Sequence, residues 1–243
     1  MLKELRRWLG VGTDRPPEMS ALTRWAERGG HHFKAVRGNS GCVITGGEGA
    51  MAWRAEWGQS QRHYIAGPEM RLIGEPGLPK DIQALVINRV LGESIERAVF
   101  EQYVDDVKTQ VDAQTPPETR WLVMFPKLGA TEMGDLRSRY TALGNSAALV
   151  QQWLQSPLRQ SLTGTLGSVG TTEPVVLTIA RGRVTLRTAM ATPDTERLAL
   201  WMGVFLSAMQ HASALAESWR EVERGSRSET LDSTQASILG AEH

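Results

Sequence analysis

Residues 42–74 read CVITGGEGAMAWRAEWGQSQRHYIAGPEMRLIG. Within this stretch Met51, Trp53, Ala55 and Trp57 fall on one face of an extended chain, and Arg54 and Glu56 fall on the other. The runs Gly46-Gly47-Glu48-Gly49 and Gly58-Gln59-Ser60-Gln61 interrupt the alternation. They divide it into candidate strands at 42–45, 51–57 and 63–74. A further strand at 32–36 precedes the turn Gly38-Asn39-Ser40-Gly41. Short strands at close spacing, separated by glycine turns, predict an antiparallel sheet.

Upstream, residues 19–28 read as a short helix with Ser20 as its N-cap and Gly29-Gly30 as its stop. Downstream, Pro79 and Asp81 are expected to open a long helix over 81–110, with Leu85, Val86, Val90, Leu91, Ile95, Ala98 and Val99 as its apolar stripe. A loop at 114–117 then marks a module boundary. In the second half, 119–125 reads as a short helix. Residues 146–162 read as an amphipathic helix kinked at Pro157. A Gly/Thr/Ser loop at 164–172 leads into a hairpin of 175–180 and 184–190 that turns at Arg181-Gly182. Thr192 and Pro193 are placed as N-cap and first residue of a second long helix, 193–222.

Matching Pro79 to Pro193 sets Leu72 on Leu186, Val86 on Leu200 and Ile87 on Trp201. The expected class is therefore α+β with two similar modules, 18–113 and 118–222, each a small antiparallel sheet with a long packed helix. An amphipathic segment at 1–17 precedes them and a flexible tail at 223–243 follows.

The 243 residues are 41% hydrophobic and 22% charged, which excludes an intrinsically disordered chain. Lys+Arg and Asp+Glu both number 27, so the basic surplus of a general nucleic-acid binder is missing. The single Cys42 has no partner for an internal disulfide and points to a reducing, cytoplasmic setting. The start does not read as a signal peptide, because Asp14-Arg15-Pro16-Pro17 cuts short any apolar core. On a helix Leu5, Trp8 and Leu9 share a face flanked by Lys3, Arg6 and Arg7, which suits docking on a protein or weak contact of residues 1–10 with a membrane surface. Residues 198–216 carry no charge, yet their alanines and polar interruptions predict a buried core helix rather than a membrane span.

No catalytic signature emerges. His31 and His32 are adjacent on a strand and point to opposite faces, so no metal site is expected. The glycine loops lack the Gly-Lys-Ser/Thr ending of a phosphate-binding loop, and no cofactor is implied. Chemistry-bearing side chains concentrate between Arg54 and Arg71. Arg54, Trp57, Arg62, His63, Tyr64 and Arg71 form the candidate binding set, with Glu56 and Glu69 among them. Arginine beside tryptophan and tyrosine serves protein interfaces or anionic ligands. The same residues also read as a cross-strand ladder in which Arg54 and Arg71 pair with Glu56 and Glu69.

The run from Trp53 to Arg71, with Arg120-Trp121-Leu122 and Arg181-Gly182, resembles segments of an uncharacterised family of bacterial proteins. The resemblance implies a bacterial source and a single evolutionary unit, and carries no activity with it. The expected function is non-enzymatic: an adaptor or scaffold that binds a protein partner or a second copy of itself. Two alternatives stand beside it. One is an enzyme or binding protein for an anionic small molecule with residues 164–172 as a lid; the other is a peripheral membrane protein held through its first ten residues.

Overall fold

The computed structural model describes residues 17–36, 40–104 and 115–239, with side chains described except at 17, 102–104 and 222–239. Expectations for Leu5, Trp8 and Leu9 lie outside the described residues. Eight strands form one antiparallel sheet: β1 His32–Ala35, β2 Cys42–Gly46, β3 Trp53–Gln59, β4 Pro68–Gly74, β5 Ala84–Asn88, β6 Tyr140–Gly144, β7 Val175–Ala180 and β8 Arg183–Ala189. Their spatial order is β1-β2-β3-β4-β8-β7-β5-β6. The described helices are α1 Pro17–Arg28, α2 Arg89–Val104, α3 Pro117–Met124, α4 Ala130–Met133, α5 Ala147–Trp153, α6 Leu158–Gly164 and α7 Thr195–Leu239.

The pairing register sorts the side chains into two faces. Ala55 opposes Leu72 and Leu72 opposes Leu186, so these residues share a face with Trp53, Met70 and Leu177. Helices α1, α5, α6 and α7 cover that face and build the larger core. Glu56 opposes Arg71 and Arg71 opposes Arg187, which places all three on the reverse face. There α2 and α3 cover only the β5, β6 and β7 end, where Ile95, Trp121 and Leu122 pack on Leu85, Ile87, Leu143 and Val176. The charged residues of β3, β4 and β8 lie beside this smaller core.

Several elements differ from the sequence reading. Residues 84–88 are a strand, and the helix expected from 81 begins only at Arg89. Ala84 and Val86 enter the larger core while Leu85 and Ile87 enter the smaller one. A strand buried on both faces is apolar throughout, and such a run does not separate strand from helix by period. Strand β4 starts at Pro68, so 63–67, expected as the first part of a strand, belongs to the loop 60–67. The expected helix over 146–162 divides into α5 and α6 on either side of residues 154–157. Ser20 lies inside α1, which begins at Pro17, two residues before the expected start.

Helix α7 opens at Thr195, not Pro193. Its cap is Asp194, whose Oδ1 accepts from the Glu196 and Arg197 backbone N–H groups at 2.8 and 3.1 Å. The helix runs on to Leu239, through the stretch where loss of regular structure was expected. Its segment Thr195–Glu221 is long and apolar enough to cross a membrane by length and composition. In this fold Leu198, Trp201, Phe205, Ala208, Met209, Ala212 and Ala216 form its buried stripe against the sheet.

All eight strands join one sheet, and two similar modules are not shown. Strand β4 of the first half pairs with β8 of the second, and β5 lies between β6 and β7. The proposed alignment sets Val86 and Ile87 of β5 on Leu200 and Trp201 of α7, a strand on a helix. Leu72 and Leu186, matched by the same alignment, instead sit directly opposite each other across the centre of the sheet. The hairpin is as expected: Ala180 pairs with Arg183, and Arg181 and Gly182 both take positive φ, 53° and 76°, as a tight two-residue turn requires.

Candidate functional site

The register that puts Glu56, Arg71 and Arg187 in one cross-strand row also brings Glu69 next to it, two residues along β4 from Arg71. Glu69 is fully buried. One carboxylate oxygen, Oε1, accepts from Arg71 Nη1 at 2.9 Å and Arg187 Nη1 at 2.6 Å. The other, Oε2, accepts from Ser60 Oγ at 2.9 Å and the Gln61 backbone N–H at 3.3 Å. Arg71 in turn donates through Nε and Nη2 to Glu56 Oε2 at 3.0 and 2.7 Å. Arg54 donates to the remaining Glu56 oxygen at 2.7 Å. Alternating charge therefore runs across three strands, and Glu69 ties it to the loop 60–67.

A second buried carboxylate holds the other end of that loop. Glu118 stands in the first turn of α3 and is 2% exposed. Its Oε1 accepts from both Arg62 Nε and the Tyr64 hydroxyl. A buried carboxylate is tolerated only with partners of this kind, because desolvation otherwise costs several kcal/mol. Burial works to lower the Arg62 guanidinium, but the hydrogen bond and charge of Glu118 outweigh it and hold Arg62 above its ordinary value. Burial, reinforced by the adjoining Glu118, pushes the Tyr64 phenol up. At Arg187 burial and then the nearby Arg62 charge pull the guanidinium below its ordinary value, against the pull of Glu69.

The residues named from sequence are thus only partly brought together. Arg54 and Arg71 belong to the ladder, and Arg62 and Tyr64 belong to the Glu118 cluster. His63 is exposed at the loop tip, its ring packed edge-on against Tyr64 with centroids 5.5 Å apart. Trp57 is on the opposite face, where its indole N–H donates to the Met190 carbonyl at 2.8 Å. It does not join the arginines. Glu118, Arg187 and Ser60 were not singled out. Alternation along β8, with Val184 and Leu186 inward, would have put Arg187 on the polar face. Glu118 lies 56 residues from Arg62 and no local pattern signals their meeting.

Beside this loop opens a surface cleft of about 600 Å³ between the β1–β2 and β3–β4 connections. Ser40, Gln59, Ser60, Gln61, Arg62 and His63 supply its polar wall, and Ile65 and Pro68 its apolar one. No acidic residue lines it among the described residues. Among the described residues there is also no group of three His, Cys, Asp or Glu side chains arranged to hold a metal ion. Cys42 is buried, and burial pushes its thiol up to about 11, so it is no ready nucleophile.

The loop 164–172, expected as a lid, is tied down. Arg139 donates to the carbonyls of Val169 at 2.7 Å and Leu166 at 3.0 Å, and Asn88 Nδ2 donates to that of Thr171 at 2.8 Å. Thr165 is buried and its hydroxyl meets that of Tyr140 at 2.7 Å. A segment held at four points is packing, not a gate.

No family model matches the chain, and no curated protein or solved structure matches it.

Proposed function

We propose that this is a non-enzymatic bacterial protein of the cytoplasm that acts by docking a protein partner on the face carrying the loop 60–67. The observation that carries this reading is the fixing of Arg62 and Tyr64 by the buried Glu118, with Ser60 and Gln61 fixed by the buried Glu69. Long polar side chains normally lose rotamer freedom when an interface forms, which costs roughly 0.5–1.5 kcal/mol each. Here folding has already set that conformation. An arginine and a tyrosine held in place beside an open cleft are the residue types that dominate binding energy at protein interfaces.

The rival reading, an enzyme closed by residues 164–172, loses support from the ties on that loop. Membrane attachment through residues 1–10 concerns a segment outside the described residues.

The same geometry decides how the docking face is tested. Alanine at Arg62 and Tyr64 would strand Glu118 in the interior and confuse unfolding with lost binding. Gln61→Ala combined with His63→Ala removes exposed side chains and leaves both carboxylates their partners. The double variant is expected to keep the wild-type melting temperature and to lose the partner in native-mass measurements after purification from its own cells. An unchanged complex would count against the docking face.

A further inference from the structure

We infer that the cleft between the β1–β2 and β3–β4 connections receives an acidic, extended peptide segment of the partner, a deepening that rests on the docking role proposed above. The cleft offers the amides of Gln59 and Gln61, the guanidinium of Arg62 and the imidazole of His63, and no carboxylate among the described residues. The two carboxylates nearest it are turned inward. Glu118 is 2% exposed and Glu69 not at all, whereas the Arg62 side chain keeps 19% of its surface in solvent. Positive and hydrogen-donating groups therefore line the opening while their counter-charges lie behind the wall, so an incoming carboxylate meets donors before it meets repulsion.

The shape points the same way. A cleft of about 600 Å³ at the surface, with Ile65 and Pro68 on one side, suits a few residues of an extended chain, its acidic side chains on the polar wall and its apolar ones on the other. The glycines at 58 and 67 put no side chain on the wall of the cleft.

Nuclear magnetic resonance titration of the full-length protein tests this with two probes, a capped pentapeptide alternating alanine and glutamate and its glutamine counterpart. The glutamate peptide is expected to cause saturable amide shifts confined to residues 58–63 and their neighbours. The glutamine peptide should bind about tenfold more weakly or worse, the scale of one charge-assisted hydrogen bond. His63→Ala should weaken the glutamate peptide, Arg62→Lys should retain it in part, and added salt should weaken it further. Equal binding of both peptides, or saturable shifts elsewhere on the protein only, overturns the inference. If neither peptide binds while the native complex still depends on Gln61 and His63, the acidic-peptide inference alone fails. If that dependence is also missing, the docking role fails with it.

Discussion

Glu69 gathers four hydrogen-bond donors on one buried carboxylate. It is fully buried and satisfies two guanidinium groups, a hydroxyl and a backbone N–H. Glu69→Gln keeps the shape and removes the charge, leaving Arg71 and Arg187 short of a partner. It should lower the unfolding free energy by about 3 kcal/mol or more, as for other buried pairs with one member removed. Glu56→Gln, at an 18% exposed position, should cost no more than about 1 kcal/mol. Denaturant unfolding of the two variants distinguishes them, and equal losses would contradict the placement of Glu69 at the centre of the ladder.

Titration at single residues also sets an alkaline limit. Burial pushes the phenols of Tyr64 and Tyr140 above their ordinary 10.0, and pushes the Cys42 thiol from 9.0 up to about 11. Each group holds its proton more tightly in the folded chain than in the unfolded one. The stability this contributes is complete below the unfolded pKa and is lost as pH rises toward the folded one. Denaturation midpoints should therefore decline from about pH 9, and in Cys42→Ala the decline should begin about one unit later. A flat profile from pH 8 to 11 would contradict the burial of these groups.

At the scale of elements, glycine positions separate strained contacts from open ones. A Cβ added at Gly144 of β6 would lie 2.5 Å from the Gln83 carbonyl oxygen and 2.6 Å from Val150 Cγ2. Gly144→Ala must displace backbone or α5 and should cost roughly 1–3 kcal/mol. A Cβ at Gly203, exposed in the N-terminal part of α7, meets nothing within 4 Å. Gly203→Ala should stabilise by about 0.5–1 kcal/mol. Thermal unfolding should move the two midpoints in opposite directions, and a shift of the same sign would contradict the packing described for α5 and α7.

The legible elements were those with a distinctive local period or turn. The alternation from Trp53 to Trp57 and the Arg181-Gly182 turn needed nothing from the rest of the chain. Strand β5 needed everything from it. The run from Ala84 to Ile87 is apolar because two layers cover it, and the layer containing α2 and α3 is formed by residues that follow it in sequence. The start of α7 was missed by two residues for a narrower reason, since both Thr192 and Asp194 are competent caps and only the latter reaches the N–H groups of Glu196 and Arg197.

For the whole molecule, the sheet is the unit, and its order joins the two halves of the chain through β4 and β8. The candidate site exists only because of that joining: Arg187 arrives from β8 to hold Glu69, and Glu118 from α3 to hold Arg62 and Tyr64. The loop residues Arg62, His63 and Tyr64 stood out as chemically dense. Glu118, the partner of Arg62 and Tyr64, did not, because a contact across 56 or 54 residues leaves no trace in local pattern. The fixed arginines also change what the cluster means. Arg71 and Arg187 are committed to internal carboxylates, while Arg62, held by Glu118, keeps part of its surface in solvent beside the cleft.

A photo-crosslinking side chain placed at His63, and separately at the exposed Ala199 on the opposite side of the sheet, tests the docking face most directly when the protein is illuminated in its own cells. Position 63 should yield one discrete adduct and position 199 none; a discrete adduct from 199 with none from 63 would contradict the assignment.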